Sequence, residues 1–133
     1  MKLEEIVCAQ DYRARVPDGV FEAECIGFDF GYYGRIPKLY LKFRLINRPY
    51  EDVELFMSFN MPFNGRIPVG SRYYRAWSKV NGRMPSRNAR MSPRIFLNKL
   101  YRVKTRTVKP KDGGVELPDD FHYSIIDSVE PMF

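Results

Sequence analysis

Acidic side chains are missing from the middle of this 133-residue chain: after Glu54 the next is Asp112. Histidine occurs once, as His122, which excludes a site built from several histidines. Cysteine occurs twice, as Cys8 and Cys25, and their spacing is not that of a metal-binding pair. No apolar run approaches the ~20 residues of a membrane span, so no membrane partner is expected. The opening MKLEEIVCAQDYRARVP has an acidic pair where an export signal is positive, and no apolar segment. A cytoplasmic protein with reduced thiols is therefore expected. The phosphate-cradling pattern GxxxxGKS/T is absent, and no Ser/His or Cys/His pair has the character of a nucleophile and its base. Neither a cofactor nor a bound metal is expected.

What the chain does contain is enough apolar material to fold. Hydrophobic residues make up 44% and aromatics 15%, which suffices for the core of one domain of this length. Prolines and glycines are scattered, so the elements should be short and joined by many turns. The acid-free stretch 55–111 holds 14 of the 22 lysines and arginines. The rest of the chain is net acidic. A single-sign block of this length points to a polyanionic partner.

Periodicity supplies the elements. VFEAECIGFDF (20–30) alternates as a half-buried strand, with Phe21, Ala23 and Cys25 on one side. GYYGRIPK (31–38) reads as a turn-rich connector. LYLKFRLIN (39–47) is the clearest strand, Leu39, Leu41, Phe43 and Leu45 facing one way. VELFMSF (53–59) follows after the turn RPYED and completes an antiparallel meander. Ser71 can cap a helix over 72–80 whose inner face is Tyr73, Ala76, Trp77 and Val80. Ser92-Pro93 starts a second short helix, RIFLNKL. YRVKTRTVK (101–109) and FHYSIIDSV (121–129) are the last two strands, joined by a hairpin-type loop. Residues 1–16 form an arm or short helix, and 17–133 one domain with a helical insertion at 71–100. Five strands with a helix between the third and fourth is the order of an OB-fold barrel. The fold expected is thus mainly β and OB-fold-like; a small α+β antiparallel sheet fits nearly as well.

Lysine and arginine meet phosphates and release their counterions. Arg102, Lys104 and Arg106 on one strand face would stand ~6.6–6.8 Å apart, near the phosphate spacing of an extended single strand. The phosphate-binding candidates are these three with Lys42, Arg44, Arg72, Arg75, Lys79, Arg83, Arg87, Arg90 and Arg94. Single-strand binders add rings on which bases stack. Tyr40 and Phe56, on the outer faces of strands two and three, are the main candidates, with Tyr74 on the helix and Tyr32 and Tyr33 in the first connector. Trp77 and Tyr73 are assigned to packing. His122 reads as a polar surface residue. Glu22 and Glu24, with Asp29 or Glu54, could hold Mg²⁺ in a nuclease, but no catalytic signature accompanies them. RYYRAWSKV and SPRIFLNKL are separated by residues 81–91, a loop too long for helix-turn-helix.

The stretches VPDGVFEAECIGFDFG, PKLYLKFRLI and SPRIFLNKLYRVKTRTV together resemble small DNA-binding proteins of phages and other mobile elements. The resemblance spans most of 17–129. It implies an OB-like domain that binds single-stranded DNA, without enzymatic activity, in replication or recombination. Such proteins often carry an acidic C-terminal tail that recruits replication or recombination proteins; here IDSVEPMF holds two acids. The alternatives are an RNA- or duplex-DNA-binding protein, or a basic module that docks on, and could inhibit, an acidic protein. Single-strand binders are often homo-oligomers, and the sequence shows no interface.

Overall fold

A computed structural model describes residues 14–133. Most of the expected N-terminal arm, and Cys8, lie outside the described residues. Three strands come first: β1 (Gly19–Tyr33), β2 (Ile36–Leu45) and β3 (Glu54–Asn60). The helix α1 (Arg72–Asn81) and a 3-10 turn (Pro93–Phe96) follow. Then come β4 (Leu100–Val108), a small hairpin of β5 (Lys111–Asp112) and β6 (Val115–Glu116), a 3-10 turn (Asp119–Phe121) and β7 (Tyr123–Pro131). The five long strands form one antiparallel sheet in the order β3-β2-β1-β4-β7. The protein is therefore mainly β, with one α-helix among the described residues. That helix is far too short to cross a membrane.

Alternation sets the inner face. Leu39, Leu41, Phe43 and Leu45 of β2 are fully buried, beside Leu55, Met57 and Phe59 of β3. Tyr101 and Val103 of β4 and Ile126 and Val129 of β7 complete the layer. Rings meet edge to face across it, Phe43 with Tyr101 at 5.7 Å and Phe59 with Tyr73 at 5.4 Å. Each such side chain contributes roughly 1.5–3 kcal/mol on leaving water. Two buried hydroxyls tie the incoming chain to this sheet. Thr105 Oγ1 donates to the Pro17 carbonyl at 2.8 Å, and Ser124 Oγ accepts from the Val16 amide at 2.9 Å.

Strand β1 changes phase midway. Its register against β2 shifts between Cys25 and Gly27. Ala23 and Cys25 face the core before the bulge; after it, Phe28 stands opposite Leu41 and Phe30 opposite Leu39. A one-residue slip moves every later side chain to the other face. The expected connector 31–38 is in fact strand: β1 and β2 stay paired out to Tyr33 and Ile36, turning over Gly34, which has φ +62°.

Helix α1 forms as its cap predicts. The Tyr74 amide donates to Ser71 Oγ at 3.2 Å, and Gly82, at φ +84°, ends it. Tyr73, Trp77 and Val80 are buried. The second expected helix shrinks to one 3-10 turn. The Asn98 amide donates to the Cys25 carbonyl at 2.8 Å and the Cys25 amide to the Lys99 carbonyl at 3.2 Å. The backbone at 98–99 is thus captured by β1 at its bulge, and Asn98, at φ +60°, turns out of the helical path where the helix would continue.

The sheet curls until its edges β3 and β7 face each other. No ladder joins them. Arg72, the first residue of α1, spans the seam instead. Its Nη1 donates to the Ser58 carbonyl of β3 at 2.8 Å and its Nη2 to the Asp127 carbonyl of β7 at 2.7 Å. The guanidinium also lies 5.3 Å from the Phe59 ring centroid.

Candidate nucleic-acid interface

An open groove of about 1060 Å³ runs between the β1–β2 hairpin, the loop after β3, the start of α1 and the loop 85–93. The phase change in β1 makes its aromatic wall. Phe30 continues the inward face beyond the packed core and emerges 64% exposed, with Phe28 edge-on behind it at 6.0 Å. Tyr32, 72% exposed, and half-buried Tyr74 also line the groove. Four cations join them: Lys38, Arg66, Arg87 and Arg90. No carboxylate is among the lining residues. Among the described residues none of the four cations has a carboxylate within ion-pair distance.

The sheet treats its bases differently. Lys42 pairs with Glu54 at 3.0 Å and Arg44 with Glu24 at 2.9 Å. Lys79 pairs with Glu130 at 2.8 Å and Arg106 with Asp127 at 3.3 Å. Arg102 stands in register between Glu22 on β1 and Glu130 on β7. The reason is topological. Basic β4 lies between β1 and β7, which carry the acids of the two chain ends. The charge block is polarised along the sequence, but where it crosses the sheet and the helix it meets acids: Arg106 and Lys79 are paired and Arg102 is flanked by two carboxylates in register. Asp127 and Glu130, the two acids of the expected tail, are among the partners.

Several expected site residues are engaged elsewhere in the structure. Lys42, Arg44, Lys79 and Arg106 are held by carboxylates, and Arg72 by two backbone carbonyls. Burial pulls the Arg72 pKa down, opposed by nearby Asp127, with Arg106 and Arg75 adding to the fall. It stays charged, since guanidinium titrates far above neutrality. Phe56 is not an open stacking platform: it is 8% exposed, with the Lys42 ammonium 5.7 Å from its ring centroid. Tyr40 is half-buried, close beside Gly31, and its pKa is raised by burial and by neighbouring Tyr123 and Tyr33. Tyr33 is exposed at the hairpin end but outside the groove. Arg75, Arg83, Arg94, Arg102 and Lys104 are exposed and lie outside it as well. Of the expected residues, Tyr32, Tyr74, Arg87 and Arg90 come together there.

Three groove residues escape sequence reasoning. Phe30 was hidden by a bulge that simple alternation does not register. Lys38 and Arg66 were hidden because each sits alone beside a proline or glycine turn; the acid-free run, read from its first base, would have found Arg66. His122 is also corrected. It is buried, its Nε2 3.0 Å from the Leu117 carbonyl, with Glu116 and Asp119 each 3.4 Å from a ring nitrogen. Glu24 and Glu54, weighed for Mg²⁺, are engaged by Arg44 and Lys42. Comparison with family models, with curated proteins and with solved structures gives no match for this chain.

Proposed function

We propose that this protein is a non-enzymatic single-stranded DNA-binding protein of low sequence specificity, using the groove at the hairpin end. The observation that carries this is a groove with exposed rings and four cations and no carboxylate in its lining. Cations take phosphates, and rings take unpaired bases at ~1–3 kcal/mol each. A duplex hides the faces of its bases, so the aromatic wall favours a single strand. The fold supports the reading too. Five antiparallel strands, a helix between the third and fourth, and edges β3 and β7 brought face to face without a ladder between them favour an OB-like reading of the fold. A role accessory to replication or recombination of a mobile element belongs to this same proposal.

The test is fluorescence anisotropy with a labelled dT oligonucleotide across a salt series. Four phosphate contacts on a single strand give a slope of about −3 in log K against log salt. Absence of binding at low salt, or binding indifferent to salt, would sink the proposal. Unlabelled duplex DNA and RNA as competitors separate single-stranded DNA from the alternatives; preference for duplex would move the contact away from the rings.

A further inference from the structure

We infer that Tyr73 and Trp77 are positioning residues for the basic loop of the groove, an inference that rests on the single-strand reading. Both side chains are buried in α1, 3% and 8% exposed, and both end in a polar atom aimed at the same loop. Tyr73 Oη donates to the Met91 carbonyl at 2.6 Å. Trp77 Nε1 donates to the Ser92 carbonyl at 3.0 Å. These consecutive carbonyls directly follow Arg90, and Arg87 lies one turn earlier.

The loop has little else to hold it. Between Gly82, which ends the helix, and Ser92, two backbone hydrogen bonds are internal: Ala89 to the Ser86 carbonyl at 3.0 Å and Ser92 to the Arg90 carbonyl at 2.9 Å. The first closes the turn that carries Arg87 and Asn88, with Asn88 at φ +64°. Both bonds shape the loop locally without attaching it to the sheet or helix. At its start Asn81 Nδ2, at the end of α1, donates to the Arg83 carbonyl at 3.2 Å; beside Arg87 and Arg90 the attachment runs through Met91, which packs on the core, and through the two carbonyls that Tyr73 and Trp77 hold. The aromatic residues thus have two functions: their rings fill the core and their polar ends fix where Arg87 and Arg90 are presented. A cation fixed before binding loses less freedom when it meets a phosphate.

The experiment is a double-mutant cycle in dT-oligonucleotide affinity. Tyr73→Phe and Trp77→Phe each keep a ring in the core and remove or displace one donor. Arg87→Ala/Arg90→Ala removes the two cations. Thermal melting confirms that each variant is folded at the assay temperature. The expected result is that Tyr73→Phe weakens binding about fivefold, the worth of one net hydrogen bond. It should also flatten the salt slope by about 0.7, one phosphate contact on a single strand. In the Arg87→Ala/Arg90→Ala background Tyr73→Phe should have no further effect. Three results overturn the inference alone while leaving the reading intact: unchanged affinity in Tyr73→Phe, an unchanged slope, or an effect that adds fully to that of the arginine pair. Failure of the unmodified protein to bind, or of the arginine pair to matter, overturns reading and inference together.

Discussion

The outer face of the sheet and the groove at its hairpin end draw on the same acid-free stretch of chain, and they end in opposite electrostatic states. Beside the sheet, Arg106 of β4 meets Asp127 and Lys79 of α1 meets Glu130, both acids of β7. In the groove, Arg66, Arg87 and Arg90 meet no carboxylate among the described residues. The difference lies in what surrounds each base. A strand residue is flanked by whatever its neighbours in the sheet carry, here the acids of β1 and β7. A loop residue beyond the strand ends has no such neighbour. A run of like charge in a sequence is thus a poor guide to a binding face until strand order is known.

Arg72 stands at the boundary, and replacing it gives the largest expected effect on stability. It belongs to the basic run by sequence but serves neither sheet face nor groove. Arg72→Met removes two charge-assisted bonds across the β3–β7 seam and should cost about 2–3 kcal/mol in urea unfolding. A loss below about 0.5 kcal/mol, the level of an ordinary surface change, would mean that the seam does not depend on it.

The groove-versus-sheet contrast itself is broken or kept by paired substitutions. Arg87→Ala/Arg90→Ala should weaken binding to a dT oligonucleotide at least about tenfold at low salt, whereas Lys79→Ala/Arg106→Ala should change it less than about twofold. Equal losses would show that the sheet face is part of the site despite its carboxylates.

A smaller effect lies under both regions, in the core. Burial pushes the Cys25 thiol up to about 12, a backbone hydrogen bond at Gly27 lowering it and Glu24 raising it further. A free thiol titrates near 8.5. The folded form therefore holds its proton where the unfolded form has lost it. This stability is fully present below about pH 8.5 and is lost as pH rises towards 12. Burial raises the Tyr73 and Tyr101 hydroxyls in the same direction. Urea midpoints should fall steadily above about pH 9. In a Cys8→Ser background, Cys25 should resist alkylation until the chain unfolds. Rapid labelling of the folded protein would contradict its burial.

The smallest change is expected where the sheet neutralises its surface. Glu130→Ala, which frees Lys79, should alter stability by less than about 1 kcal/mol, because an exposed pair is screened by water and salt.

The sequence by itself determined most of the architecture. Leu39 to Leu45 alternate strictly, so β2 could take only one face inward. Ser71 and the Tyr73–Trp77–Val80 spacing specified α1, because a cap and a helical stripe are local patterns. The basic character of 81–94, and with it Arg87 and Arg90, was legible for the same reason. Other features needed partners far along the chain. The bulge near Ile26 reflects pairing with two neighbouring strands, and it alone moved Phe30 into the groove. The 3-10 turn at Pro93–Phe96 stops because β1 captures Asn98 and Lys99. Strand order brought Glu24, Asp127 and Glu130 beside Arg44, Arg106 and Lys79, and it brought two sheet edges within reach of Arg72. Periodicity is a property of neighbours in sequence, whereas charge neutralisation and the position of a groove depend on neighbours in space, which only the folded chain supplies.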